Sequence, residues 1–161
     1  MDALEAIQKR RSVREYTGEP IPRNHLEKIV DAGRLAASGN NSQPWDFIVV
    51  TNQTMIEELK VAAEWMKQAG AIIAVVMDPK SRWWVEDGAA AVENILIAAT
   101  ALGYGSCWLE GYTLERERQF KTLLDIPDDK RLLTLVPIGI PVGWPTKEKK
   151  TLAQVIHWEK F

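Results

Sequence analysis

The run AIIAVVM at residues 71–77 contains no polar or charged side chain. Successive side chains of a strand point to opposite faces of its sheet, so a strand that is apolar at every position must be covered on both. The run is far shorter than the roughly 18 apolar residues that a membrane span needs, and its β-branched content favours a strand over a buried helix. It predicts a central strand with helices packed above and below, and the other elements have to be arranged around it.

Segments 47–51, 104–109 and 132–140 predict three more strands. Asp2 caps a short first helix, with Glu5 in its first turn and Leu4 and Ile7 on its apolar face. Asn24 is the expected cap of a second helix, with Glu27 three residues on; it carries Leu26, Ile29, Val30 and Gly33 at helical spacing and runs out near Ala37. Ile56, Leu59, Ala63 and Met66 predict a helix over 52–69. Val92, Ile95, Leu96, Ala99 and Leu102 predict a longer one over 83–102, which Gly103 ends. Thr113 caps a last helix reaching about Leu124. Helices and strands alternate without a regular βαβ cadence, so the fold class is α+β, a small mixed β-sheet flanked by helices. At 161 residues, 46% hydrophobic and 26% charged, the chain reads as a single domain, 1–161.

A formal net charge of -2 argues against a nucleic-acid surface, and the longest apolar run argues against a membrane segment. The opening MDALEAIQKRR is amphipathic and lacks the apolar core of a signal peptide, which points to the cytoplasm. Cys107, the single cysteine, leaves no internal disulfide and reads as a small buried side chain. His25 and His157 lie far apart in sequence, make no metal cluster and read as surface residues. Phosphate-loop, zinc-protease and nucleophile-elbow signatures are missing. Gly103-Tyr104-Gly105 begins like a dinucleotide fingerprint, but Trp108 stands in place of the third glycine. The segment also runs from helix to strand, the reverse of the required order.

Three segments carry chemistry. Arg10, Arg11, Ser12 and Arg14 crowd together, and planar guanidinium forks meet phosphate oxygens two at a time. A solvated, charged helix end has the same composition. The loop 38–43, Ser-Gly-Asn-Asn-Ser-Gln before Pro44-Trp45, offers amides and hydroxyls to a polar heteroaromatic ring, and equally suits a capped helix end with a turn. WLEGY at 108–112 ends a strand at Gly111, where backbone can approach a ligand closely or the chain can simply turn. There are seven tryptophans, and the adjacent Trp83 and Trp84 cannot both face one core, so one of them is assigned to a subunit contact.

Taken in order, these segments resemble the FMN-dependent nitroreductase family. The likeness rests on Arg10-Arg11-Ser12-Val13-Arg14 after a short helix, on SGNNSQPW (38–45) leading into a strand, and on NILIAATALGYGSCWLEGY (94–112). It also rests on Gly139-Ile140-Pro141 followed by Lys147-Glu148-Lys149-Lys150. The resemblance implies a homodimer of nitroreductase-like α+β fold with FMN at the subunit interface. Arg10, Arg11, Ser12 and Arg14 would take the FMN phosphate, ribityl chain and ring edge. Ser38, Gly39 and Asn41 would reach the flavin from the other subunit. Leu109, Glu110 and Gly111 would lie along the isoalloxazine ring, and Lys149, or its neighbours Lys147 and Lys150, would complete the phosphate site. The implied reaction is hydride transfer from NADH or NADPH to a small electrophilic acceptor of nitroaromatic or quinone type. The chemistry would sit on the cofactor, so no catalytic side chain and no metal are required of the protein.

Typical members of that family are longer. The short stretch between 51 and 71 and the end at Phe161 imply a reduced roof over the pocket and a shorter C-terminal arm, and Ala37 stands where a proline is usual. A second reading is therefore a flavin-binding module without nicotinamide turnover: a carrier, a sensor or a protein fed by a redox partner. A third is a non-flavin interaction protein whose tryptophans form the contact surface.

Overall fold

In the computed structural model, which describes residues 1–109 and 115–161, the apolar run is a strand buried at every position. The strands are β1 (Trp45–Val50), β2 (Ala71–Met77), β3 (Gly105–Ser106) and β4 (Arg131–Gly139), in the spatial order β1-β2-β4-β3. The helices are α1 (Ala3–Lys9), α2 (Arg23–Arg34), α3 (Gln53–Leu59), α4 (Trp84–Ala101) and α5 (Glu117–Leu123). The three ladders are antiparallel. The parallel component comes from the N-terminal segment, where Ser12 bridges Ser106. The fold class is α+β, as the sequence predicts.

Alternation along β2 divides the interior in two. Ile73, Val75 and Met77 face α2 and α4, where they meet Leu26, Ile29, Ile95 and Ala99. Ile72, Ala74 and Val76 face the opposite way, onto Ile56, Leu59 and Phe120 from α3 and α5. A bulge opposite Val75 and Val76 resets the phase of β4, so Leu132 and Leu135 join one layer and Leu133, Val136 and Ile138 the other. Each fully buried aliphatic side chain contributes about 1.5–3 kcal/mol relative to an exposed one.

Four local expectations change. The predicted helix over 52–69 stops at Leu59 and continues as two 3-10 turns, Lys60–Ala62 and Glu64–Gln68, with Ala63 extended between them. Its buried residues include Ile56, Leu59 and Ala62. Steps of three drift off one face of an α-helix but stay in line on a 3-10 helix. Asn24 does not cap α2; the helix starts at Arg23 behind Pro22 and ends at Arg34. Strand pairing in the predicted 104–109 segment is confined to β3 and a bridge from Leu109 to Leu135. On α1, Ala6 turns to the core, while Leu4 and Ile7 stay exposed. The predicted cap Thr113 lies outside the described residues.

An acid in α5 ties that helix to the sheet. Glu117 accepts from Arg131 Nε through both oxygens, at 2.8 and 3.0 Å, and from the Leu132 N–H at 2.9 Å. Burial pushes its carboxyl up, but the guanidinium and the amide outweigh burial and hold it below the usual carboxylate range. A depressed acid stabilises the fold above its unfolded-state pKa, and that contribution is lost as pH falls through the lower folded-state value. Glu117→Gln is expected to destabilise the protein by on the order of 1–2 kcal/mol at neutral pH. Urea unfolding should show the gap closing below about pH 4.

Candidate functional site

β3 and β4 meet with Gly105 opposite Gly139. A Cβ on Gly105 would fall 2.8 Å from Val13 Cβ, and one on Gly139 would fall 2.8 Å from the Tyr16 ring. The two glycines therefore form a flat floor on which the segment 11–17 lies against the sheet. The Val13 N–H donates to the Ser106 carbonyl at 2.9 Å, the Thr17 N–H to Ile140 at 3.0 Å, and the Val142 N–H to Glu15 at 3.1 Å. Val13 and Tyr16 are buried, and the Tyr16 hydroxyl donates to the Val13 carbonyl at 2.7 Å. Burial, with a smaller contribution from Cys107, pushes that hydroxyl far above the usual tyrosine range, so it stays protonated.

This segment carries the basic cluster. Arg10 Nε lies 3.2 Å from Glu93 Oε1 on α4, which ties the guanidinium to that helix. Arg11 Nη1 donates to the carbonyls of Gln8 and Arg10, both at 2.8 Å, closing the end of α1. Its Nε is buried without a hydrogen-bond partner among the described residues. Arg14 is exposed and, among the described residues, has no ion pair. Cys107 is buried, as expected. Burial pushes its thiol up, while Arg14, a hydrogen bond from Ser12 and Arg10 act in the opposite sense. Arg10, Ser12 and Arg14 thus belong to one short segment laid along β3, where Ser12 bridges Ser106. Lys147 and Lys149 lie in the exposed tail, without an ion pair among the described residues.

The second group sits at the start of α4. Ser38 precedes a 3-10 turn, Gly39–Asn41, and Asn40, Asn41 and Gln43 hold φ of 53°, 56° and 47°. The Gly39 N–H donates to Asp87 Oδ1 at 2.9 Å, and the Gln43 N–H to Ser38 Oγ at 3.1 Å. Trp83 covers the turn so closely that a Cβ on Gly39 would lie 2.2 Å from its ring. The adjacent tryptophans do divide: Trp84 packs against the core with Arg131 over its ring, and Trp83 stays 37% exposed.

Leu109 is buried and its N–H donates to Leu135 at 3.2 Å. Glu110 and Gly111 lie outside the described residues. His25 is half-buried, with Nδ1 2.7 Å from the Tyr104 hydroxyl, and His157 is exposed. The sequence alone does not mark Asp87, Glu93, Gly105 and Gly139 as parts of this site. A lone glycine within each of two predicted strands was the available signal for the floor. Nothing local distinguishes Asp87 or Glu93 from other helix carboxylates.

Fold and site together define an α+β protein with a basic segment laid along one sheet edge and an amide-rich loop held at the start of its longest helix. The nitroreductase family model matches residues 7–71 and 57–140, and the chain belongs to the nitroreductase family. It is 40% identical over 149 residues, 87% of this chain and 86% of the other, to an Archaeoglobus fulgidus protein provisionally named NADH dehydrogenase/NAD(P)H nitroreductase. Among solved structures it is similar to a Parabacteroides distasonis protein with the same provisional name. That match has 31% identity and a TM-score of 0.90, covering 99% of this chain and 98% of that one. It is also similar to a Bacteroides fragilis nitroreductase with bound FMN, with 32% identity, a TM-score of 0.82 and 98% of each chain covered.

Proposed function

We propose that this chain is an FMN-dependent oxidoreductase that passes hydride from NADH or NADPH to a small electrophilic acceptor of nitroaromatic or quinone type, working as a homodimer. The observation that carries the proposal is the gathering of Arg10, Ser12 and Arg14 at one edge of the sheet. The donor set suits FMN: a phosphate monoester carries close to two negative charges, and Arg14, Lys147 and Lys149 are cations with no carboxylate partner among the described residues. Bound FMN would supply the ring that accepts and gives up hydride. The chain's own part is to grip the phosphate with Arg10 and Arg14, meet the ribityl chain with Ser12 and exclude water from the ring.

The two donor groups hang from different parts of α4, Asp87 in its first turn and Glu93 further along. Six residues separate them by about 9 Å along the axis and about two-thirds of a turn around it. As the family resemblance implies, each ligand cleft is assigned the basic segment of one copy and the loop 38–43 of the other. Exposed Leu4 and Ile7 on α1, and exposed Leu152, Val155, Ile156 and Trp158 in the tail, supply apolar surface for that pairing.

The purified protein should be yellow and should bleach anaerobically on addition of NADH or NADPH, with colour returning on addition of an acceptor. Colourless protein that ignores added FMN would overturn the proposal. Tight FMN binding without nicotinamide oxidation would replace it with the flavin-binding module.

A further inference from the structure

The side chain of Asp87 belongs to a residue only 5% exposed, and no lysine or arginine pairs with it among the described residues. A buried carboxylate without a counter-ion persists only where donors and dipoles surround it. Asp87 lies in the first turn of α4, at the positive end of the helix dipole. Its two oxygens accept from the Gly39 N–H at 2.9 Å and from the Ser42 hydroxyl at 3.4 Å. Both donors come from the loop 38–43. Ser42 Oγ also lies 3.3 Å from Ser81 Oγ, at the turn before the helix.

The loop needs holding. Three of its residues without glycine's freedom, Asn40, Asn41 and Gln43, sit in the left-handed region, a conformation that persists where surrounding contacts over-determine it. Asp87 grips the loop on both sides of Asn40 and Asn41, the Gln43 N–H is held by Ser38 Oγ, and Trp83 closes over Gly39. With the Gly39 N–H turned inward, the side chains of Asn40, Asn41 and Gln43 are left exposed.

We infer that Asp87 is a positioning residue for the ligand loop: its buried carboxylate holds 38–43 in the strained shape that presents Ser38 and Asn41 to the flavin of the partner copy. This rests on the proposed function, because only there does the loop meet flavin. Asp87 itself touches neither cofactor nor substrate in this assignment.

The test compares wild type, Asp87→Ala and Asp87→Asn, each as the purified full chain titrated with FMN. Flavin fluorescence gives the Kd, visible circular dichroism reports the surroundings of the bound ring, and melting of the FMN-free protein reports stability. Asp87→Ala should bind FMN about tenfold more weakly, the weight of one charge-assisted hydrogen bond, with an altered dichroism band. Asp87→Asn keeps an acceptor for the Gly39 N–H and should stay within about threefold of wild type with its band preserved. Lowered melting of Asp87→Ala with unchanged Kd and unchanged dichroism would overturn the inference, leaving a purely structural role. Should Asp87→Ala fail to fold, Ser42→Ala removes one tether and should weaken FMN by about threefold; unchanged affinity there also overturns it. Wild type that takes up no FMN defeats the flavin reading itself, whereas wild type that binds beside an equally tight Asp87→Ala defeats this inference alone.

Discussion

Replacing Arg10 and Arg14 together by alanine should yield a folded protein that purifies without colour. Each guanidinium is assigned a charge-assisted contact to the phosphate, worth about 1.5–3 kcal/mol. Losing two such contacts should weaken FMN by about 10²–10⁴-fold. Stability should change little, because Arg14 is exposed and the Arg10–Glu93 pair has a 47% exposed carboxylate partner. Flavin content as isolated, FMN titration and thermal unfolding together check the result. An unchanged flavin spectrum would place the phosphate elsewhere. Arg11→Ala is expected to act differently, since its Nη1 closes the end of α1; its loss should lower the melting temperature as well.

The second large effect is expected from Gly105. An alanine there would set its Cβ 2.8 Å from Val13 Cβ and Cγ2 and 2.9 Å from Cγ1. Because Val13 Cβ is fixed to the backbone, no change of rotamer relieves the contact, and the segment 11–17 has to lift from the sheet. Overpacking of this kind costs about 1–3 kcal/mol. The same displacement carries Ser12 and Arg14 away, so FMN affinity should fall with stability. Gly143→Ala, where an added Cβ meets nothing within 4 Å, is the control and should leave both unchanged. Urea unfolding and FMN titration separate the two positions, and equal behaviour of the two variants would refute the glycine floor.

These two sites illustrate what could be read in advance. Arg10, Arg11, Ser12 and Arg14 are neighbours in sequence, so their chemistry was visible as a word in the chain. The floor beneath them is built from Gly105 and Gly139, which become neighbours only when β3 pairs with β4. Asp87 and Glu93 acquire their roles in the same way, through residues far away in sequence. The fold follows a similar division. β2 and α4 were legible to within a residue or so, because each carries a complete apolar pattern over its whole length. The segment 52–69 misled because its apolar spacing suits two helix types, and only packing against the sheet decides between them. On α1 the apolar pattern fixes the face and not its destination: Leu4 and Ile7 are in register, but they point away from their own core.

Every residue from Val142 to Phe161 is exposed on its own protomer, and the bare face of α1 lies on the same chain. Under the proposed assembly, subunit parting and cofactor release become one linked equilibrium. Dilution below the point where copies dissociate empties both clefts together, and added FMN strengthens the pairing by the same factor by which pairing strengthens FMN.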